Sequence, residues 1–330
     1  MKKISYFPVG EFSNKYSEVF LNSIRKEYQH DNVLLSDLVC ELKSFNFKRR
    51  DVVILNWFEN LFSNSDGNIT LYLILKSFIK FIIYRIKYKK VIYVRHNVYP
   101  HHLNNKSLFK AKTIIYVLTK LSSASITHSP VYREFNEIYV PHPLYEFPVV
   151  NSNASERDPN LYIIFGRITR YKQLEKIIDI FPSNKNLLIL GACDDLQYLD
   201  ELKKNIKSKK NILIKSGFVS DEEARGYFSR ANSLLLCHSE PHMIVSGSFF
   251  YALTMGIRTL CISTPFLKWT ENELGSNVVK CFDSLDTLAD YLINASPFYG
   301  FTDQDRNIIV KNFSSDVVRN SILNVIENVA

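Results

Sequence analysis

What most constrains the fold of this chain is a rhythm. Short, nearly continuous runs of β-branched and other apolar residues alternate with helix-length stretches, on both sides of one polar break. Before the break the runs fall at 51–55, 90–94, 124–127 and 137–140; after it they fall at 161–165, 186–190, 211–214, 233–236 and 259–262. Strands apolar on both faces belong in parallel sheets covered by helices on each side. The break, from Val150 through Asn151, Ser152 and Asn153 to Pro159, follows Pro141, Pro143 and Pro148 and reads as a linker. The expected architecture is α/β, with two doubly wound, Rossmann-like parallel-sheet domains at 1–148 and 160–330, a linker at 149–159 and a cleft between them. A length of 330 residues suits two such cores. Ligands in such sheets sit beyond the carboxyl ends of the strands, so the loops after strands are the places to look for chemistry.

Charge is distributed unevenly. Residues 1–150 hold 21 Lys/Arg against 12 Asp/Glu, a balance of +9, and the remaining residues hold 20 against 21, or −1. The first half therefore asks for an anionic partner, such as membrane headgroups, a pyrophosphate-linked lipid or nucleic acid. Nucleic acid is not expected, because no recognised binding motif and no basic-aromatic stacking pattern is present. Within that half the stretch 71–90 is strongly apolar yet carries Lys76, Lys80 and Lys87 on one helical face. It reads either as an interfacial helix on anionic lipid or as a core helix wet on one side. The five cysteines lack metal or redox spacing and read as small buried hydrophobes of a reducing compartment. No signal peptide and no apolar stretch of ~18 residues is seen, so the expected location is cytoplasmic, peripheral on the inner face of the plasma membrane.

Three segments of the second half carry chemistry. Gly166-Arg167-Ile168-Thr169-Arg170-Tyr171-Lys172 follows a strand: its Gly permits a tight turn and its Arg and Lys suit a diphosphate clamp, or else form a solvated basic loop. Ser246-Gly247-Ser248 opens a helix whose N–H groups and hydroxyls suit phosphate, or else is only a cap on a core helix. Gly256 closes that helix. Between them lies Gly217-Phe218, a strand end followed by the acidic run Asp221-Glu222-Glu223.

In this order and spacing, Gly166-Arg167 with Lys172, then Gly217-Phe218, then Ser246-Gly247 with Ala252-Leu253-Thr254-Met255-Gly256, resemble the donor-binding half of GT-B glycosyltransferases. The similarity is to the group around glycosyltransferase family 4 and related enzymes of bacterial capsule, O-antigen and exopolysaccharide synthesis. It implies that Gly166, Arg167 and Lys172 hold the diphosphate of a nucleotide-sugar, that Phe218 borders the base, and that Ser246, Gly247 and Ser248 meet phosphate or ribose. His238 and Glu240, just before that helix, join the donor-side candidates. It also implies a UDP-sugar rather than a GDP-sugar, as substrate and not cofactor, and a lipid-linked saccharide acceptor. Retaining members usually carry two glutamates eight residues apart; the matching positions here are Met243 and Tyr251, which points to inversion. Glu240 is near but out of register.

The first half contributes Arg95-His96-Asn97-Val98-Tyr99-Pro100-His101-His102, which resembles the first domain of the same transferases. The spacing of its histidines fits no common zinc motif, and no metal is expected. Inverting transfer needs a base for the acceptor hydroxyl. His96 ranks first and Glu59 second; Glu11, Asn97, His101 and His102 are acceptor-side candidates, and His128 and His142 read mainly as structural. Asp303-Gln304-Asp305 reads as a solvated turn. The competing readings are a retaining enzyme of the same fold and a non-catalytic scaffold.

Overall fold

The structure, a computed structural model, describes residues 2–9, 15–100, 103–145, 157–238 and 244–328. The chain clusters into two compact units: Met1–Pro143 with His242–Val245 and Phe313–Ala330, and Leu144–Pro241 with Ser246–Asn312.

Unit 1 runs β1 (Lys2–Phe7), α1 (Lys15–Ser23), β2 (Tyr28–His30), α2 (Leu35–Lys43), β3 (Arg50–Asn56), α3 (Leu71–Lys87), β4 (Tyr88–Arg95), α4 (Leu108–Leu121), β5 (Ala124–Thr127) and β6 (Ile138–Tyr139). Its six-stranded sheet has the order β2-β1-β3-β4-β5-β6, and every pairing is parallel. Alternation along each strand sends side chains to opposite faces. Val52, Ile54, Ile92 and Val94 pack with α1 and with the C-terminal helix residues Val318 and Ile322, while Val53, Leu55, Val91 and Tyr93 pack with Leu38, Phe81, Tyr84 and Leu118. The helix expected at 71–90 is α3, started by Thr70, whose side chain accepts from the Leu73 N–H. Lys87 does not join Lys76 and Lys80 on a wet face. It is buried, with Nζ 2.5 Å from Glu41 and 2.7 Å from the Asn46 carbonyl, because the last turn of α3 tucks against the loop after α2.

Unit 2 runs β7 (Leu161–Phe165), α5 (Leu174–Ile180), β8 (Asn186–Gly191), α6 (Leu196–Asn205), β9 (Ile212–Ser216), α7 (Asp221–Arg230), β10 (Ser233–Leu236), α8 (Gly247–Thr254), β11 (Arg258–Ile262), α9 (Pro265–Leu274), β12 (Val279–Phe282), α10 (Leu285–Ile293) and α11 (Asp303–Phe313, whose last residue clusters with unit 1), before α12 (Ser315–Asn328) in unit 1. The sheet order is β12-β11-β10-β7-β8-β9, again parallel. Tyr162, Ile164, Leu187, Ile189, Leu235 and Leu260 form its core with α5, α6 and α10.

Each sheet reverses its winding once. In unit 1 the chain goes from β1 outward to β2, then returns to β3; in unit 2 it goes from β7 to β8 and β9, then returns to β10. The crevices beside β1/β3 and β7/β10 are the topological switch points at which open α/β sheets bind ligands. Three strands escaped the sequence reading: β1, β2 and β12, which are short or carry Lys2, Lys3, His30 and Lys280 in place of a continuous apolar run. Two further expectations change. Asp305 is not a solvated turn residue: it lies in the first turn of α11, where its carboxylate accepts from the Thr302 N–H and hydroxyl and from Asn277; burial raises its pKa, but those bonds together outweigh it and hold the value low. Of the cysteines, Cys237 and Cys261 are buried, but Cys40 is exposed on α2. No helix among the described residues is long and apolar enough to cross a membrane.

Candidate functional site

Unit 2 concentrates unusual features at its switch point. Gly166 ends β7 with φ +105°, and a Cβ there would lie 3.0 Å from Ser248 Oγ and 3.4 Å from Lys172 Nζ. Gly191 ends β8 with φ +148°, and a Cβ there would meet the Gly166 carbonyl oxygen at 2.1 Å. Two glycines thus let neighbouring strand-end backbones touch, and Gly166 N–H donates to Leu190 O while Ile168 N–H donates to Ala192 O. The loop then forms a 3₁₀ turn, Arg170–Lys172, which turns Lys172 inward. Lys172 is 8% exposed, and its ammonium has no hydrogen-bond or ion-pair partner among the described residues. Burial pushes its pKa down to about 8, so it remains mostly cationic at neutral pH.

The loop after β10 faces the same lysine. Burial raises the Cys237 thiol to about 12 and lowers His238 to about 4, with the Lys172 charge adding to the second shift. Both are therefore neutral beside the buried ammonium. At the start of α8 the Ser246 hydroxyl accepts from the Phe249 N–H at 3.4 Å, and Ser248 Oγ donates to the Phe165 carbonyl at 2.8 Å. The Ser248 hydroxyl thus gives its proton to the backbone, whereas the Ser246 hydroxyl only accepts and keeps its proton for an anion, beside the Gly247 and Ser248 amides of the helix start. An uncompensated buried cation beside backbone N–H groups and a side-chain-free glycine is a cradle for a phosphate-sized anion. A cavity of ≈ 300 Å³ lined by Asp158, Asn186, Ile212 and Arg230 lies at the opposite, amino edge of this sheet, away from that chemistry.

The other predicted donor-side residues are more peripheral. Arg167 is exposed and pairs with Asp194 at 2.6 Å. Phe218 is 89% exposed beyond β9. Tyr251, at the position matching a glutamate of retaining transferases, is buried against Phe165 and Phe228, and its hydroxyl donates to Asp221 at 3.3 Å. Glu240 and Met243 lie outside the described residues.

In unit 1 the strand ends carry a ring of aromatic and imidazole groups. His96, immediately after β4, stacks on Trp57 at 4.5 Å and meets Tyr16 edge-on at 4.6 Å. Its Nε2 donates to Asn56 Oδ1 at 2.7 Å, which places the ring proton on Nε2. His128, after β5, has its rings 5.1 Å from His96 and 5.4 Å from His142. The Val140 carbonyl can only accept, so His128 Nδ1 is the donor at 2.8 Å and its Nε2 accepts from the Tyr16 hydroxyl at 2.6 Å. Burial lowers His128 to about 4 and His142 well below the ordinary imidazole value. The loop bearing His96 is pinned by Arg95, which is 1% exposed, pairs with Glu137 at 2.6 Å and donates to the Asn97 and Val98 carbonyls. Asn97 is thereby fixed through its backbone. Among the described residues no cluster of His, Cys, Asp or Glu is arranged to hold a metal ion.

Glu59 does not join this ring. It lies in a 3₁₀ turn, Phe58–Phe62, 1% exposed, accepting from the Tyr93 hydroxyl at 3.0 Å, and burial raises its pKa to about 7. Glu11, His101 and His102 lie outside the described residues. Sequence reasoning passed over Asn56, Trp57, Tyr16 and Gly191. A polar Asn closing an apolar strand, and a Gly closing another, were the signals available for two of them.

No protein-family model matches the chain, and no curated protein matches its sequence. Solved structures do. The sucrose-phosphate synthase of Thermosynechococcus elongatus superposes with TM-score 0.70 at 12% identity, over 99% of this chain and 98% of that one. Anabaena HepE, solved with UDP-glucose, gives TM-score 0.67 at 12% identity over 99% of both chains. A glycosyltransferase from Rickettsia africae gives 0.65 at 10% identity, over 99% of this chain and 98% of that one. At such identities the likeness is one of fold, and the fold is GT-B.

Proposed function

We propose that this GT-B chain is a glycosyltransferase that moves a sugar from a nucleotide-sugar to a lipid-linked or saccharide acceptor, in the manner of bacterial surface-polysaccharide synthesis. The observation that carries the proposal is Lys172, a buried ammonium without a partner among the described residues, set at the switch point beside Gly166 and the start of α8. A diphosphate would supply the missing negative charge. HepE, with the same fold, was solved with UDP and with UDP-glucose, which favours a UDP-sugar donor here.

In the proposed reaction the acceptor oxygen displaces UDP at the anomeric carbon in one step, with inversion. The bond to the acceptor forms as the bond to the diphosphate oxygen breaks, and the acceptor proton passes to the His96 imidazole. Trp57 stacking and the Asn56 bond hold that ring in the tautomer the step requires. Lys172 and the α8 amides offset the charge left on the diphosphate, a role that asks for neither a metal nor a cofactor. Tyr251, donating its hydroxyl to Asp221, supplies no carboxylate at the position retaining relatives would use, which supports inversion.

Ligand-induced thermal shifts test the donor assignment, because a ligand bound only to the folded state raises the melting temperature. UDP and a UDP-sugar are expected to stabilise the protein more than GDP or uridine, and Lys172→Met is expected to abolish the UDP shift while folding normally. A chain unmoved by every nucleotide would instead be a non-catalytic member of the fold.

A further inference from the structure

The positive charge is more localised than the half-chain balance indicates. Residues 1–66 hold nine Lys/Arg and nine Asp/Glu, whereas residues 67–133 hold twelve Lys/Arg and no Asp or Glu at all. This carboxylate-free segment builds α3, β4, α4 and β5; apart from Lys89 on β4, which pairs with Asp51, and the loop residues, its exposed part is the outer side of the two helices. On α3, Leu71, Leu75, Ile79, Ile82 and Ile86 recur at helical spacing and are 71%, 56%, 58%, 51% and 41% exposed. Ser77, Phe81 and Tyr84, on the other side, are buried. The helix therefore has two apolar faces, and the core uses only one. Lys76 and Lys80 flank the outer stripe, with Lys76 over the Tyr72 ring at 5.5 Å.

The starts of the two helices are tied together: the Ile69 N–H donates to Ser107 Oγ at 3.3 Å, and Lys110 Nζ donates to the Ile69 carbonyl at 3.4 Å. Leu71, Tyr72 and the 82% exposed Phe109 thus gather at one end of the face. Because α3 follows β3 and α4 follows β4, that end is the carboxyl rim of the unit 1 sheet, the rim that carries His96.

We infer that this face docks on an anionic phospholipid bilayer, with α3 lying in the interface, its aliphatic stripe among the acyl chains and its lysines at the headgroups. Charge complementarity selects that occupant. A second copy packed stripe to stripe would set Lys76 and Lys80 against a segment that has no carboxylate to pair them. Docking does not depend on the nucleotide-sugar reading, but it would bring the histidine rim of unit 1 to the surface where a lipid-linked acceptor resides.

Co-sedimentation of the full chain with phosphatidylglycerol–phosphatidylcholine vesicles and with pure phosphatidylcholine vesicles, in the absence of nucleotide, tests the inference. The expected result is binding to the anionic vesicles that is about tenfold or more weaker for pure phosphatidylcholine, for Leu75→Ser/Ile79→Ser and for Lys76→Glu/Lys80→Glu. Both variants should keep the parent melting temperature and UDP response. No vesicle binding, equal binding to both vesicle types, or undiminished binding by both variants overturns the inference. So does a concentration-dependent dimer abolished by Leu75→Ser/Ile79→Ser without vesicle binding, which would make the stripe a contact between copies. UDP binding is read separately, so failure of the docking surface and failure of the donor site are distinguishable.

Discussion

The strand ends of the two units solve opposite problems with burial. In unit 1 the rings of Tyr16, Trp57, His96, His128 and His142 satisfy one another, and burial drives His128 and His142 to the neutral state. In unit 2 a lysine is buried without compensation among the described residues, next to a glycine whose absent side chain leaves room. Desolvation lowers the pKa of a buried base in both places, but its consequence differs. An imidazole carried to about 4 is a settled neutral group, whereas an ammonium carried only to about 8 keeps its charge at neutral pH and remains in need of an anion. The first arrangement holds a neutral ring in place; the second is poised to bind.

The comparison can be broken most forcefully at His96. His96→Ala is expected to slow UDP release from a UDP-sugar by about 10²–10⁴-fold while leaving UDP affinity intact. A variant with undiminished turnover would reduce the imidazole ring to packing. Next comes the pin beneath that ring. Glu137→Ala strips the carboxylate from a guanidinium that is 1% exposed, and should cost about 3–5 kcal/mol in denaturant unfolding. A loss under about 1 kcal/mol would mean that the carbonyls of Asn97 and Val98 satisfy Arg95 unaided.

The pH dependence of UDP binding sharpens the contrast on the unit 2 side. Lys172 in the free protein titrates at about 8, and a bound diphosphate raises that value, so binding takes up a proton above pH 8. Affinity should be flat below pH 8, then fall by up to about tenfold per pH unit above it, and the fall should vanish in Lys172→Met; calorimetry across pH 7 to 10 measures this. The same group affects stability with the sign of a depressed base. Between about 8 and the ordinary lysine value of 10.5 the unfolded chain binds the extra proton, so stability rises with pH through that window. The smallest effect is expected at Arg167, whose exposed pair with Asp194 should contribute no more than about 0.5 kcal/mol to stability. A larger loss of UDP affinity than of stability in Arg167→Ala would show that the side chain leaves Asp194 for the ligand.

The two-sheet architecture was legible because its signal is local. Runs such as Val52-Val53-Ile54-Leu55 and Leu187-Leu188-Ile189-Leu190 are apolar at every position, and only a sheet covered on both faces buries them. The switch-point loops were legible for a related reason: Gly166 and the Ser246 helix start are backbone requirements written into single residues. Which candidate does what was not local. Ser246 and Ser248 read alike in the sequence, yet Ser248 gives its hydroxyl proton to the Phe165 carbonyl whereas Ser246 accepts from the Phe249 amide and keeps its own. Lys172 and Arg167 looked alike, yet a 3₁₀ turn buries one and solvent keeps the other.

The sequence by itself determined two parallel sheets and most of their strands, the Gly166 turn, the start of α8 and the sign of the charge on each half, because strand periodicity, glycine and net charge are properties of neighbours along the chain. Only the tertiary structure decided that His96 is held by Trp57 and Asn56, that Gly191 makes room for Gly166, that Glu59 is sealed off beneath Tyr93, and that α3 turns a second apolar face outward. Those outcomes depend on burial and on contacts between residues far apart in the chain, and burial is what sets a side chain's charge, its partners and its freedom to meet a ligand.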